Sequence, residues 1–331
     1  MKILFISPLL PPSGIPAGGI AIWTKHVLNS TYSIKNEVEI VNTIPIGKRL
    51  EKLNSKRKII EESVRFFNVM KNLVLELKYF NPDIVHINSS CSVYGMIREI
   101  ICCIFCARKK IVLHFHCDIS HMVRNNFSKF ILKKLVKFSD LNITLNAISR
   151  EFLNSNFSVD SIIIPNFIDS ENCHFIESEK NISQKVRTAV FTGHITESKG
   201  CDLILKLAED NPVIMFYLVG HKGLLFENKV LPKNFVLVGE LNHDEVIRYL
   251  IKSDVFIFPT QSEGFPISLL EAMLCGLPII STSVGAIPDM IEDKGGILVP
   301  VGNYNELSNA LTKLEPYEVR KNMSDWNKKK V

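Results

Sequence analysis

The chain has 331 residues, 46% of them hydrophobic and 22% charged, with a formal net charge of +5. That length favours two domains over one, and the composition excludes a disordered or fibrous chain. The charge is uneven. Residues 1–169 carry 22 Lys and Arg against 13 Asp and Glu, net +9, while residues 170–331 carry 17 against 21, net −4. The basic half is the one expected to face something anionic.

In chain order, residues 3–24 hold no charge, but Pro8, Pro11, Pro12, Pro16 and three glycines break the run. MKILFIS therefore reads as a first buried strand rather than a signal peptide. The first half continues as loop 8–19, helix 20–30, strand 38–42, a helical stretch 51–79, strand 83–87, helix 93–108 and strand 110–115. Helix 127–138, strand 141–145, helix 147–155 and strand 161–164 follow. The second half reads strand 187–192, helix 200–209, strands 213–219 and 235–238, helix 243–251, strand 254–258, helix 266–275 and strand 278–281. It closes with strand 297–299, helix 304–313 and a terminal helix. Short apolar strands alternating with helices imply α/β architecture with parallel, doubly covered sheets. The expected division is 1–168, a polar linker 169–185, a second domain 186–315 and a short terminal helix 316–331. No segment reaches the ~20 unbroken apolar residues of a membrane span.

Eight cysteines occur. Cys102, Cys103 and Cys106 in IICCIFC lack any nearby His or second Cys pair, so they read as apolar residues of a buried helix, not metal ligands. Disulfides are not expected, and a reducing cytosol fits.

The stretch FPTQSEGFPISLLEAMLCGLPIIST carries the most chemistry. Glu263 lies before a turn, Gly264-Phe265-Pro266 opens a helix, and Glu271 follows about one and a half turns later. Pro266 suits the first helical position. Amides at a helix start favour an anion such as phosphate, and a carboxylate beyond it can accept hydrogen bonds from sugar hydroxyls. Taken alone, the two glutamates also fit a loop charge and a solvated helix position. Two flanking apolar strands instead place them at the carboxyl end of a parallel sheet, where open α/β folds bind ligands. The loop PPSGIPAGGIAIW after the first strand is neither G-x-G-x-x-G nor a P-loop. Gly18 and Gly19 would allow close backbone approach to a ligand, or form an ordinary flexible loop.

Five segments in order resemble retaining glycosyltransferases of family 4. SEGFPISLLEAMLCGLPIISTSVGAIPDMI resembles the EX7E signature and its downstream stretch. FTGHITESKG, IPNFID, PAGGIAIW and LHFHCD resemble four weaker motifs of that family. The resemblance implies a GT-B fold, two Rossmann-like domains facing across a cleft. It also implies roles. Glu271 matches the glutamate that holds the ribose hydroxyls, and Glu263 the one that contacts the transferred sugar. Gly264 and Phe265 match positions whose amides meet sugar or phosphate, and Lys199 the lysine that neutralises the diphosphate. Gly19 matches the glycine loop beside the diphosphate, and Gly193 belongs to the same donor-binding set. His116 matches the histidine beside the reacting sugar, where it serves as a base or is a satisfied core residue. His114 is assigned to the other face of its strand, as structural. His194 stands where the family usually has Arg, so it either contacts the diphosphate or packs; Asp289 stands where Glu is frequent.

The implied activity is hexosyl transfer from a UDP- or GDP-sugar to a hydroxyl of a glycan or lipid-linked glycan, in bacterial surface-polysaccharide assembly. No metal, cofactor or nucleic-acid partner is expected. A nucleotide-sugar epimerase, a phosphorylase and a non-catalytic family member are the alternatives. The basic stretch 48–80 reads either as a surface that meets anionic lipid or as a core-facing helix with a solvated outer face. The chain is expected in the cytoplasm, with attachment to the cytoplasmic face of the membrane left open.

Overall fold

Two six-stranded sheets, parallel throughout, organise the molecule. The computed structural model describes residues 1–10, 18–44, 55–168 and 182–331, and the side chains of 61 onward within the helix that starts at Ser55. The predicted helix start at 51–54, most of the glycine loop (11–17) and residues 169–181 of the predicted linker lie outside the described residues. The chain separates into two compact units, Met1–Phe167 and Ile168–Val331.

In the first unit the strands are β1 Lys2–Ser7, β2 Glu37–Asn42, β3 Ile84–Ser89, β4 Lys110–Phe115, β5 Leu141–Thr144 and β6 Ile162–Ile163. Their order is β2-β1-β3-β4-β5-β6. The chain leaves β1 toward β2 and then passes to the other side at β3, so the topological switch lies between β1 and β3. Alternation along the strands sends Leu4, Ile6, Val85, Ile87, Leu113 and Phe115 into one core layer. Ile3 and Phe5 meet Trp23 and Val27 of the helix Gly19–Asn29 on the opposite face.

The second unit contains β7 Thr188–Thr192, β8 Met215–Val219, β9 Phe235–Gly239, β10 Val255–Phe258, β11 Ile279–Thr282 and β12 Gly296–Val299. The order β12-β11-β10-β7-β8-β9 is that of a dinucleotide-binding fold, with its switch between β7 and β10. Every residue of β10 and β11 is buried, as strands covered on both faces require. The terminal helix Tyr317–Lys330 is fastened within this unit. Asn327 donates to the carbonyls of Leu277 and Gly295, each at 2.8 Å, and the fully buried Arg320 donates to Ser183 at 2.6 Å.

Cys102, Cys103 and Cys106 are fully buried at and just beyond the end of the helix Val93–Phe105, as read from sequence. Burial pushes the Cys102 and Cys106 thiols up to about 12. Two local expectations are corrected. Pro266 is the cap of the helix Ile267–Leu274, with extended ψ of 119°, rather than its first residue. His114 and His116 share one face, because residues two apart in a strand do; their rings lie 4.0 Å apart.

Candidate active site

The loops leaving β7 and β10 meet at the second unit's switch point. After β7 the chain runs through Gly193 and His194 to a single turn of 3₁₀ helix, Glu197–Lys199. Gly200 follows with φ of +71°, and a Cβ there would fall 2.2 Å from the Pro259 carbonyl oxygen. Only glycine lets the two loops come this close. The amide of Gln261 donates to Ser198 at 2.9 Å and ties the loops together. Lys199 Nζ and Glu263 Oε1 form an ion pair whose side chains are 24% and 16% exposed.

The β11 end supports the same loop from the other side. Gly285, with φ of +53°, lies so near that a Cβ would fall 1.9 Å from the Glu263 carbonyl oxygen. Ala286 donates to the Gly264 carbonyl at 3.0 Å. Glu263 is therefore held by its backbone as well as by Lys199. Phe265 packs against the core beneath.

Glu271 is the fifth residue of the helix Ile267–Leu274. It is largely buried and accepts from His243 Nε2 at 3.0 Å. His243 opens the helix His243–Lys252, whose start is fixed by a capping box between Asn242 and Glu245. The sequence reading missed His243, although its position at a helix start beyond a strand's carboxyl end was a signal. His194 is partly buried, with its ring 6.3 Å from that of His221.

The first unit's switch point is built from neutral groups. His116 Nε2 lies 3.0 Å from Asn88 Oδ1. Asn88 Nδ2 donates to Ser7 Oγ at 2.8 Å, and Ser7 Oγ lies 2.6 Å from Thr24 Oγ1. The Trp23 ring stands edge-on to His116 at 4.8 Å and to His114 at 5.0 Å. His86 Nε2 and His114 Nδ1 are 3.3 Å apart. Burial, joined for His116 by repulsion from His86, holds His86 and His116 down at about 3. Burial, then His116 and His86, likewise pull His114 well below its ordinary value. Gly19 is the first residue of its helix, and a Cβ there would meet nothing within 4 Å. Among the described residues no three His, Cys, Asp or Glu side chains are grouped to hold a metal ion.

Residues 174–330 match the family model described as Glycosyl transferases group 1, and residues 36–172 match that described as Glycosyltransferase Family 4. An uncharacterized glycosyltransferase of Methanocaldococcus jannaschii is 26% identical over 225 residues, 66% of this chain and 62% of that protein. An uncharacterized 41.2 kDa protein in the cps region of Klebsiella pneumoniae is 22% identical over 332 residues, 95% of this chain and 89% of that one. The amylovoran biosynthesis glycosyltransferase AmsK of Erwinia amylovora is 29% identical over 167 residues, 43% of this chain and 41% of that one. The chain thus spans less than two thirds of the first and third of these relatives. Among solved structures, sucrose-phosphate synthase from Thermosynechococcus elongatus superimposes with a TM-score of 0.76 at 16% identity, covering 99% of this chain and 93% of that one. Anabaena HepE in complex with UDP and glucose gives 0.70 at 16% identity, covering 100% and 95%. The fold is that of the GT-B enzymes.

Proposed function

The chain belongs to the glycosyltransferases of group 1 and family 4, and from that premise we propose that it is a retaining hexosyltransferase using a UDP- or GDP-sugar. The observation that carries this reading is the Lys199–Glu263 pair at the β7/β10 switch point. Departure of a nucleoside diphosphate develops negative charge, which a positioned cation stabilises without reorganising. Lys199 supplies that cation. The donor diphosphate takes over Lys199, and Glu263, relieved of its partner, turns to the hydroxyls of the transferred sugar. Glu271 accepts from the ribose hydroxyls, where His243 now donates. Gly193, His194, Gly264 and Phe265 line the same donor side, and Gly19 and His116 belong to the acceptor-side unit. The acceptor oxygen bonds to the anomeric carbon on the face that the diphosphate leaves, and its proton passes to a phosphate oxygen. Because Lys199 meets the phosphates, no metal is needed.

The cps-region and amylovoran relatives favour a glycan or lipid-linked glycan acceptor in surface-polysaccharide assembly. No helix among the described residues is long and apolar enough to cross a membrane. A cytoplasmic enzyme touching anionic lipid through its first unit is supported by the helix Asn126–Leu135. There Phe127 and Phe130 are more than half exposed, and Lys134 lies over the Phe130 ring at 5.3 Å.

Calorimetric titration with UDP and GDP tests the donor reading. One of them should bind, and binding should be weakened in Lys199→Ala. No heat with either nucleotide would sink the proposal, and an inverted anomer in the product would sink the retaining mechanism alone.

A further inference from the structure

Four side chains of the first unit form a hydrogen-bonded chain whose direction is fixed by its far end. Thr24 Oγ1 lies 2.8 Å from the Ile20 carbonyl oxygen. A carbonyl only accepts, so the single Thr24 proton goes there. The 2.6 Å contact between Ser7 Oγ and Thr24 Oγ1 must then use the Ser7 proton. Ser7 Oγ has no proton left and accepts from Asn88, which places the Asn88 amide nitrogen toward Ser7 at 2.8 Å. The amide oxygen therefore faces His116 Nε2 at 3.0 Å, and that nitrogen must bring the proton. Turning the Asn88 amide over would leave either the Ser7–Thr24 contact without a proton or the Thr24 hydroxyl without its bond to the Ile20 carbonyl. One assignment satisfies every contact.

The inner members of this chain are buried away from solvent. Ser7, Thr24 and Asn88 are at most 5% exposed. A buried polar group left without its partner is costly, so the order holds. The neighbours of His116 reinforce it. His114 and His86 stand on the same face, and a charged imidazole beside them is disfavoured, so His116 is neutral and its Nδ1 is bare.

We propose that Asn88 is a positioning residue for the transfer reaction: through the Ser7–Thr24–Ile20 chain it locks His116 as the tautomer with its proton on Nε2, leaving Nδ1 as the one nitrogen able to accept from the sugar or the acceptor hydroxyl. The proposal rests on the reading of His116 as a residue beside the reacting sugar. It also joins that histidine to the start of the helix Gly19–Asn29, the helix that follows the glycine loop. A shift of Thr24 on ligand binding would reach His116 through three hydrogen bonds.

The test is nuclear magnetic resonance of the full-length protein labelled with ¹⁵N-histidine, with the His116 signals assigned by their loss in His116→Gln. The expected result is a protonated Nε2 and a bare Nδ1. In Asn88→Asp an acceptor still faces His116 and the tautomer should persist. In Asn88→Leu no acceptor remains and the Nδ1-protonated form should appear. Release of UDP from UDP-glucose, or of GDP from GDP-mannose, whichever the wild-type protein turns over, supplies the second readout. Asn88→Leu should lower kcat about tenfold to a hundredfold with donor KM unchanged, as loss of a histidine-orienting partner does elsewhere. A wild-type His116 protonated on Nδ1, a tautomer unmoved in folded Asn88→Leu, or an unchanged kcat in that variant would each overturn the proposal. Failure of the transferase reading is seen separately, as absence of turnover in the wild type with the tautomer as stated.

Discussion

The switch points of the two units carry opposite chemistry on parallel sheets of different strand order. In the second unit the groups are charged: Lys199 against Glu263, and Glu271 beneath His243. In the first they are neutral: Thr24, Ser7, Asn88 and His116 in one chain, with His86 and His114 alongside. A diphosphate needs fixed charge, while a sugar or an alcohol needs donors and acceptors of known direction. The overall charge points the other way, since the second half is the acidic one and the first is basic. The proposed anion site therefore rests on the local Lys199–Glu263 geometry and not on net charge.

Acid should break this contrast most strongly. An unfolded histidine takes up a proton near 6.5, but His86 and His116 stay neutral in the fold down to about 3. Throughout that window the unfolded chain binds more protons, so the stability of the first unit is full above pH 6.5 and is lost as pH falls. The slope is about 1.4 kcal/mol per pH unit for each histidine. Glu99 opposes this: burial lifts it to about 6, so its contribution improves as pH falls from 6 toward 4.5, offsetting at most one histidine. A net loss of about 2 kcal/mol between pH 7.5 and 5.5 follows from these two histidines less Glu99, and His114, also held low by burial, acts in the same direction. Trp23 lies on the histidine cluster and Trp326 packs in the second unit. Urea unfolding of Trp326→Phe, followed by Trp23 fluorescence, reads the first unit alone. A midpoint that does not move with pH would contradict the neutral assignment.

The charged site breaks by substitution. On the proposed donor reading, Lys199→Ala removes the cation that meets the leaving group and leaves the Glu263 carboxylate without its partner. A loss of about 100- to 1,000-fold in kcat is expected. Glu263→Ala should also lower turnover but spare nucleotide affinity. The two changes should not add, because each destroys the same pair. Additive losses in a double-mutant cycle would separate the residues functionally.

How far this was legible differs between the units for a physical reason. β10 and β11 read directly from sequence because strands covered on both faces are uninterrupted apolar runs. The helix after β10 was displaced by one residue, since proline fits the cap as well as the first turn. Glu263 and Lys199 are 64 positions apart. Their pairing has no local signature; the resemblance to a family gave them separate roles on the donor side and did not pair them. Asn88 and Ser7 are separated by 81 positions, and the direction of their hydrogen bond depends on a carbonyl in a third element. Periodicity carries no such information. The expected separation of His114 from His116 fails on the period of the strand itself, which puts positions 114 and 116 on one face.

Within the charged site, Glu271 gives a smaller and more selective effect. Its carboxylate is largely buried and already engaged by a donor. Glu271→Gln keeps the shape and halves the acceptor capacity. Hydrogen bonds to a charged group contribute about 1.5–3 kcal/mol, so nucleotide affinity should fall about tenfold or more. Deoxyribose analogues of the nucleotide should lose little further affinity in this variant. If they lose as much as in the wild type, Glu271 does not hold the ribose.

The remaining positive charge of the first unit defines the mildest test. On the helix Asn126–Leu135 the exposed rings of Phe127 and Phe130 share a face with Lys134, and Lys129 and Lys133 flank them. Such a pairing inserts rings at the headgroup level while the lysines meet anionic lipid. Each lysine near the surface contributes about 1 kcal/mol, so Lys129→Ala and Lys133→Ala should each weaken binding to phosphatidylglycerol vesicles about fivefold. Neutral vesicles should bind weakly, and 0.5 M salt should release the protein from anionic ones. Kcat on a soluble donor should not change, because these residues belong to neither switch point. Equal binding to neutral and anionic vesicles would assign the basic half to a protein or glycan partner instead, and would leave the contrast between the two sites standing.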